Sequence, residues 1–246
     1  MRSGLRARMQ ASPLMDLPGF TRALETALYQ LHGAIADKEA PHDMPHKTIL
    51  HVGPGHRRNG ATLPPALQSG GWLEIRLDID PENEPDIVGS MLDMSAVADR
   101  SVDAIYSAHN IEHVFAHEVP LVLGEFLRVL KPQGFLVITC PDLQTVCALV
   151  AEDKLTDTAY NSPAGPITPL DILYGHGAAL AAGHLYMAHK CGFTLKTLAA
   201  ALTRAGFHNT AGKRRIRELD LWMVASKGQM SENAMQQLAA KMLPTG

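Results

Sequence analysis

The stretch Ile49 to Gly60, ILHVGPGHRRNG, decides the fold. A short apolar run, Lys47 to Val52, reads as a buried strand, and it enters Gly53-Pro54-Gly55 directly. Glycine tolerates positive φ and lets a ligand approach the backbone, so Gly-x-Gly after a strand is the start of a nucleotide-binding turn. A diphosphate needs a helix N-terminus immediately behind the glycines. Here Arg57, Arg58, Asn59 and Gly60 intervene, the pattern is GxGxxR, and the next helix is delayed to about Pro64. The turn therefore suits an adenosine-containing ligand without a diphosphate better than NAD or FAD.

Outward from this stretch, strands alternate with helices. Strands are expected at Trp72–Asp78, Asp86–Val88, Val102–Ser107 and Phe135–Cys140, with two late ones near 207–216 and 218–226. Between them, Ala116–Leu130 carries Val119, Val122, Leu123, Phe126, Leu127 and Leu130 on one face, and Lys131-Pro-Gln-Gly134 is read as its stop. Further helices are expected at Leu143–Glu152, Leu195–Ala205 and Ser231–Leu243. This alternation predicts an α/β fold: a doubly wound, mostly parallel sheet with helices on both faces.

Three regions follow from the pattern. Residues 1–45 form an N-terminal tail and a helix whose stripe is Leu24, Leu28, Leu31 and Ile35. Residues 46–227 form the binding domain, with an insert at 153–192 rich in Gly, Pro and His and without a period. Connections this long are usually functional, and Tyr160, Tyr174, Tyr186 and Met187 suit a lid. Residues 228–246 form a polar helical tail. The two terminal helices are candidate contacts for a homodimer.

Composition excludes several classes. The chain has 246 residues, 46% hydrophobic and 19% charged, with formal charge −3. The one dense basic cluster, Lys213 to Arg217, is too narrow for a nucleic-acid-binding face. Three cysteines without a CxxC fit reduced thiols in a cytoplasmic setting rather than a disulfide framework. No run of 18 apolar residues suggests a membrane span, and no apolar segment follows the N-terminal arginines as in a secretory signal.

In open α/β sheets, ligands bind beyond the carboxyl ends of the strands. After the second strand comes Asp78, 23 residues past Gly55, at the spacing of an acid that accepts ribose hydroxyls. Ile79 lies beside it, and Asp80 competes for the same role. After the third, Asp93 is a candidate for the adenine amino group, with Leu92 and Met94 on the ring faces. After the fourth comes SAHNIEH, Ser107 to His113, a polar cluster at the rim. Histidine is the natural general base near neutral pH, so His109 is the first candidate as base or orienter, beside His113. His184 and His189 in the insert come next, with His176 a further member of that group.

The chain resembles the class I S-adenosylmethionine-dependent methyltransferases, especially the type 11 group. ILHVGPG, IRLDIDP, SVDAIYSAHNIEHV and EFLRVLKPQGFLVITCPD carry the resemblance, clearly over Lys47 to Asp142. It implies a seven-stranded sheet with the last strand antiparallel, and S-adenosylmethionine as cofactor. Gly53, Pro54 and Gly55 would lie near its methionyl part, Asp78 on the ribose, Asp93 near adenine, and Ser107 to His109 near the sulfonium. The implied reaction is methyl transfer to an O or N nucleophile of a small molecule, sugar or lipid-linked acceptor. His51, His56 and Ser90 stand where the family often has an acid, a third glycine and an aspartate. Two alternatives stay open: a non-catalytic cofactor-binding module, and a metal-assisted enzyme using His109, Glu112 and His113 with a histidine from the insert. The first reading assigns no metal ligand. HNIEH also matches the inverted zinc-peptidase pattern, which its place after a strand disfavours.

Overall fold

The computed structural model describes residues 47–244 apart from 60–62, 70 and 163. The expected N-terminal helix and its Leu24–Ile35 stripe lie outside the described residues. Strand β1 spans Lys47–Val52, β2 Trp72–Asp78, β3 Ile87–Val88, β4 Val102–Ala108 and β5 Leu130–Pro141. A small hairpin follows, β6 Tyr160–Ser162 and β7 Gly165–Ile167, and then β8 Asn209–Arg215 and β9 Asp220–Ser226. Seven of these form one sheet in the order β3-β2-β1-β4-β5-β9-β8. β2, β1, β4 and β5 pair in parallel, and β9 runs antiparallel to both neighbours, β5 and β8. The last strand is thus the reversed one, as the resemblance implied. It is inserted inside the edge, leaving β8 outermost.

Side-chain alternation divides the core into two layers. Leu50 and Val52 of β1, Ile105 of β4, Leu136 and Ile138 of β5 and Leu221 and Met223 of β9 face one side. Against them pack helices α2 (Val119–Val129) and α6 (Leu195–Ala205) through Val122, Leu123, Phe126, Leu198 and Leu202. Ile49, Ala104, Tyr106, Val137 and Val224 face the other side, under α1 (Pro65–Gln68) and α7 (Glu232–Met242). Near-continuous apolar runs in the central strands follow from covering both faces.

Two expectations change. Helix α2 begins at Val119 rather than Ala116, because Pro120 sits in its first turn, where a missing N–H costs nothing. Helix α2 ends at Val129, just ahead of the expected stop, but residues Leu130 to Gly134 form no loop. They open β5, where Leu130 pairs with Val102 ahead of a register shift. The insert also holds order that period-based reading missed. After α3 (Leu143–Ala151) come the β6–β7 hairpin, α4 (Pro169–Tyr174) and α5 (Gly177–Ala181). α4 starts on a capping box in which Thr168 and Asp171 satisfy each other's backbone N–H. Among the described residues, no helix is long and apolar enough to cross a membrane.

Candidate active site

The carboxyl ends of β1, β2 and β4 and the segment after β3 meet around a cavity of about 290 Å³. Gly53 and Gly55 have φ of +61° and +67°, the left-handed region open to glycine. Gly55 N–H donates to Asp78 Oδ2 at 3.1 Å, and Asp80 N–H donates to Asp78 Oδ1 at 2.9 Å. Asp78 is buried yet lines the cavity. Each of its oxygens has accepted one hydrogen bond, which leaves lone pairs for a ligand's hydroxyls. The buried Arg76 guanidinium donates to the Gly55 carbonyl at 2.8 Å, so the turn is held from both sides.

The two arginines behind the glycines form a single 3-10 turn, Arg57–Asn59, and α1 starts only at Pro65. Arg57 is tied to the Glu84 carbonyl and to the Asp86 carboxylate. Among the described residues, no α-helix N-terminus stands directly behind Gly55 to receive a diphosphate.

Beyond β4, Asn110 Nδ2 donates to the carbonyls of Val52 (2.8 Å) and Ala108 (3.0 Å), bridging the ends of β1 and β4. His109 has φ +54° and its ring is about half exposed. Its Nδ1 lies 3.5 Å from Glu112 and its Nε2 3.9 Å from Asp220. Burial acts to lower its pKa, but the carboxylates of Asp220 and Glu112 outweigh that and raise it to about 9. His109 is therefore an imidazolium at neutral pH.

Glu112 is buried, and neither carboxylate oxygen has a hydrogen-bond partner. Burial acts to raise its pKa, yet His109, with lesser help from His113 and His189, holds it lowered. His113 and His189 sit edge to face with ring centroids 4.9 Å apart. Burial lowers the pKa of His189, keeping it neutral. Glu112 and His189 also line a second cavity, of about 260 Å³, with Lys190 and Tyr174.

Residues 50–138 match the family model for a methyltransferase domain. Over that stretch the sequence is similar to methyltransferase domains. Similar solved structures include the citrinin polyketide synthase CMeT domain, at 13% identity and TM-score 0.50, covering 78% of this chain and 49% of that one. A SAM-dependent methyltransferase from Methanosarcina mazei gives 19% identity, TM-score 0.49 and coverage of 76% and 95%. One from Archaeoglobus fulgidus gives 14%, 0.48, and coverage of 80% and 94%. At such identities the likeness to the CMeT domain is one of fold. No curated protein sequence matches the chain.

Of the expected site residues, Gly53, Gly55, Asp78, Ile79, Leu92, His109 and His113 all line the first cavity. Other expected site residues do not. Met94 is fully buried in the core, and its N–H donates to Glu125. Asp93 is exposed and caps the following turn by accepting from Ser95 N–H at 3.1 Å. The segment turns back at a Ser90–Asp93 bridge, and Asp93 lines a different depression with Ser95 and Gly124. Ser107 is buried behind the wall, 3.4 Å from Asn110 Nδ2, and Pro54 is likewise buried outside the lining. His184 lies in a shallow depression with Asp80, bonded to the Tyr186 hydroxyl at 3.0 Å. His189 reaches the second cavity only.

The lining of this first cavity also includes Met91, Asn83 and Lys190, which sequence reading passed over. Met91 sits one residue before the expected sandwich. Lys190 gave no local signal, because its place depends on the insert folding back. Its N–H donates to the Glu112 carbonyl at 2.7 Å. Tyr186 and Met187 line the cavity, whereas Tyr160 and Tyr174 do not. The three departures have local explanations. His51 is buried and pairs with Glu74 of β2 at 2.6 Å. His56 Nδ1 accepts from Arg58 N–H, and Ser90 Oγ accepts from Leu92 N–H.

Proposed function

We propose that the protein transfers a methyl group from S-adenosylmethionine to an O or N nucleophile of a small molecule, sugar or lipid-linked acceptor. One observation carries this reading. A single cavity at the carboxyl end of the sheet collects a glycine turn, a buried carboxylate with free lone pairs and the histidine cluster after β4.

The residues divide the work. Asp78 accepts the ribose hydroxyls, pre-positioned by the N–H groups of Gly55 and Asp80. Leu92, Met91 and Ile79 supply the apolar faces that flank adenine. Gly53 and Gly55 let the methionyl end approach the backbone, and Lys190 offers its carboxylate a cation. Bound there, S-adenosylmethionine supplies an electrophilic methyl that a nucleophile displaces in line with sulfur. Much of the acceleration in such a step comes from holding the reactants in line.

His109, charged at neutral pH, orients rather than abstracts a proton. Activation of the nucleophile falls to the cluster of His113, Glu112 and His189. His113 Nδ1 faces the Ala188 carbonyl at 3.2 Å, so the ring tautomer that donates there keeps its lone pair on Nε2.

Calorimetry with S-adenosylhomocysteine and with NAD tests the reading. S-adenosylhomocysteine should bind and NAD should not. Two hydrogen bonds to a charged group are worth several kcal/mol, so Asp78→Ala should weaken binding about a hundredfold or more. Equal affinity in the variant, or a preference for NAD, would overturn it.

A further inference from the structure

Three side chains described above lack an explanation as a group. Glu112 is buried with both carboxylate oxygens unpartnered. Its ionic neighbour is His109, with Nδ1 at 3.5 Å, too long for a hydrogen bond; a buried carboxylate whose oxygens accept no hydrogen bond costs several kcal/mol, and such groups are normally fully satisfied or bound to a metal. One donor atom from each of Glu112, His113 and His189 lies within 4.8 Å of the others.

The two histidines are prepared in the same way. His113 Nδ1 faces the Ala188 carbonyl at 3.2 Å, and His189 Nδ1 faces the Ile172 carbonyl at 2.7 Å. A carbonyl only accepts, so each Nδ1 carries the proton and each Nε2 keeps its lone pair. A backbone carbonyl behind the distal ring nitrogen is the usual outer support of a metal-binding histidine.

The backbone fixes the arrangement. The insert segment bearing His189 is tied to the turn bearing Glu112 and His113. Lys190 N–H and Cys191 N–H both donate to the Glu112 carbonyl, and Cys191 Sγ–H to that of Ile111. His189 N–H donates to the Tyr174 carbonyl at 3.1 Å. Gly175 has φ +104°, and a Cβ there would fall 2.3 Å from the Met187 carbonyl oxygen, so the two halves of the insert meet at closest approach beside this cluster.

We propose that Glu112, His113 Nε2 and His189 Nε2 hold one divalent first-row transition cation. Two imidazoles and a carboxylate suit zinc, cobalt or manganese, and a three-residue set leaves at least one coordination position open to water or another oxygen ligand. The site lies at the wall between the two cavities, since His113 lines the first and Glu112 and His189 line the second. His109 is not a member. Its ring lies between Glu112 and Asp220, at 3.5 and 3.9 Å. Binding of the cation does not depend on the acceptor, but its use in activating a nucleophile rests on the methyl-transfer reading above.

Cobalt(II) is the probe, because its visible d–d bands report coordination directly. Tag-free protein should bind one cobalt ion per chain and develop those bands at neutral pH. His189→Ala and Glu112→Gln should each weaken binding more than about a hundredfold, beyond the loss seen for outer-shell changes. His184→Gln, an exposed histidine in the same insert, should leave both stoichiometry and bands unchanged. S-adenosylhomocysteine calorimetry on the same variants separates this result from failure of the cofactor reading. His189→Cys guards against misfolding as an explanation. A thiolate on the metal gives a new near-ultraviolet charge-transfer band that only direct ligation produces. Absence of bound cobalt, retention of full affinity in both ligand variants, or absence of that band in a cobalt-bound His189→Cys protein would overturn the proposal.

Discussion

A methyl group on Gly53 would lie 2.0 Å from Asn110 Oδ1, on a backbone already at φ +61°. A side chain at positive φ costs about 1–2 kcal/mol, and pushing Asn110 aside sacrifices its bonds to the Val52 and Ala108 carbonyls, about 1 kcal/mol each. Gly53→Ala should therefore lose about 3 kcal/mol in urea unfolding and also lose S-adenosylhomocysteine binding in calorimetry. His109 offers a second test at this scale. Its folded pKa of about 9 lies above the ordinary 6.5, so the stability it contributes is complete below about pH 6.5 and is lost as pH rises through 9. An NMR titration should place its ring midpoint near 9, and Asp220→Asn should bring that midpoint down. Single residues were unevenly legible. Asp78 announced itself by its spacing from Gly55 and does line the cavity. Asp93 and Met94 had equal chemical merit, but a turn closed by the Ser90–Asp93 bridge sends them elsewhere, and no periodicity foretells a turn's exit direction.

Among elements, the segment from Gly89 to Ser101 has turns and one isolated bridge, yet its first residues, through Met91 and Leu92, form an apolar wall of the cavity. Arg128 of α2 straps it down. Its guanidinium donates to the carbonyls of Met94 (2.8 Å) and Val97 (2.9 Å), to Asp99 and to Glu125. Glu125 in turn accepts from Met94 N–H at 2.8 Å. Arg128→Ala should cost about 2–3 kcal/mol in unfolding, mainly through the orphaned carbonyls, and should weaken S-adenosylhomocysteine several-fold by loosening the wall. Strands and long helices were readable because apolar alternation and the 3.6 period mark them. Leu195–Ala205 and Trp72–Asp78 fall where the pattern placed them. The first five residues of β5 were hidden by a Lys-Pro-Gln-Gly sequence that reads as a turn. Pro132 is tolerated there because the register shift between Val102 and Ala104 leaves its stretch outside the regular ladder. Order in the insert comes from caps and from contacts with the turn at Glu112, neither of which has a period.

At the scale of the whole molecule, the sheet is covered on two sides by unequal helical layers. α7 carries Met235 and Met242, both buried, onto the face that also holds Tyr106, Val137 and Val224. Met235→Ala should cost about 3 kcal/mol and lower Tm by roughly 6–12 °C, as read by calorimetric melting. A polar tail in the sequence is thus part of the core, because its few apolar residues recur on one helical face. The Tyr186 hydroxyl, meanwhile, donates to Asp80 at 2.7 Å while its side chain lines the cavity. Burial and then Asp80 raise the Tyr186 pKa to about 12, and the same bond lowers that of Asp80, so this clasp between the insert and the end of β2 survives across the working pH range. A ligand in this cavity should then leave only once that phenol lets go. Removing that oxygen with Tyr186→Phe should shorten the residence time of S-adenosylhomocysteine by up to about tenfold in stopped-flow displacement, with its arrival rate nearly unchanged.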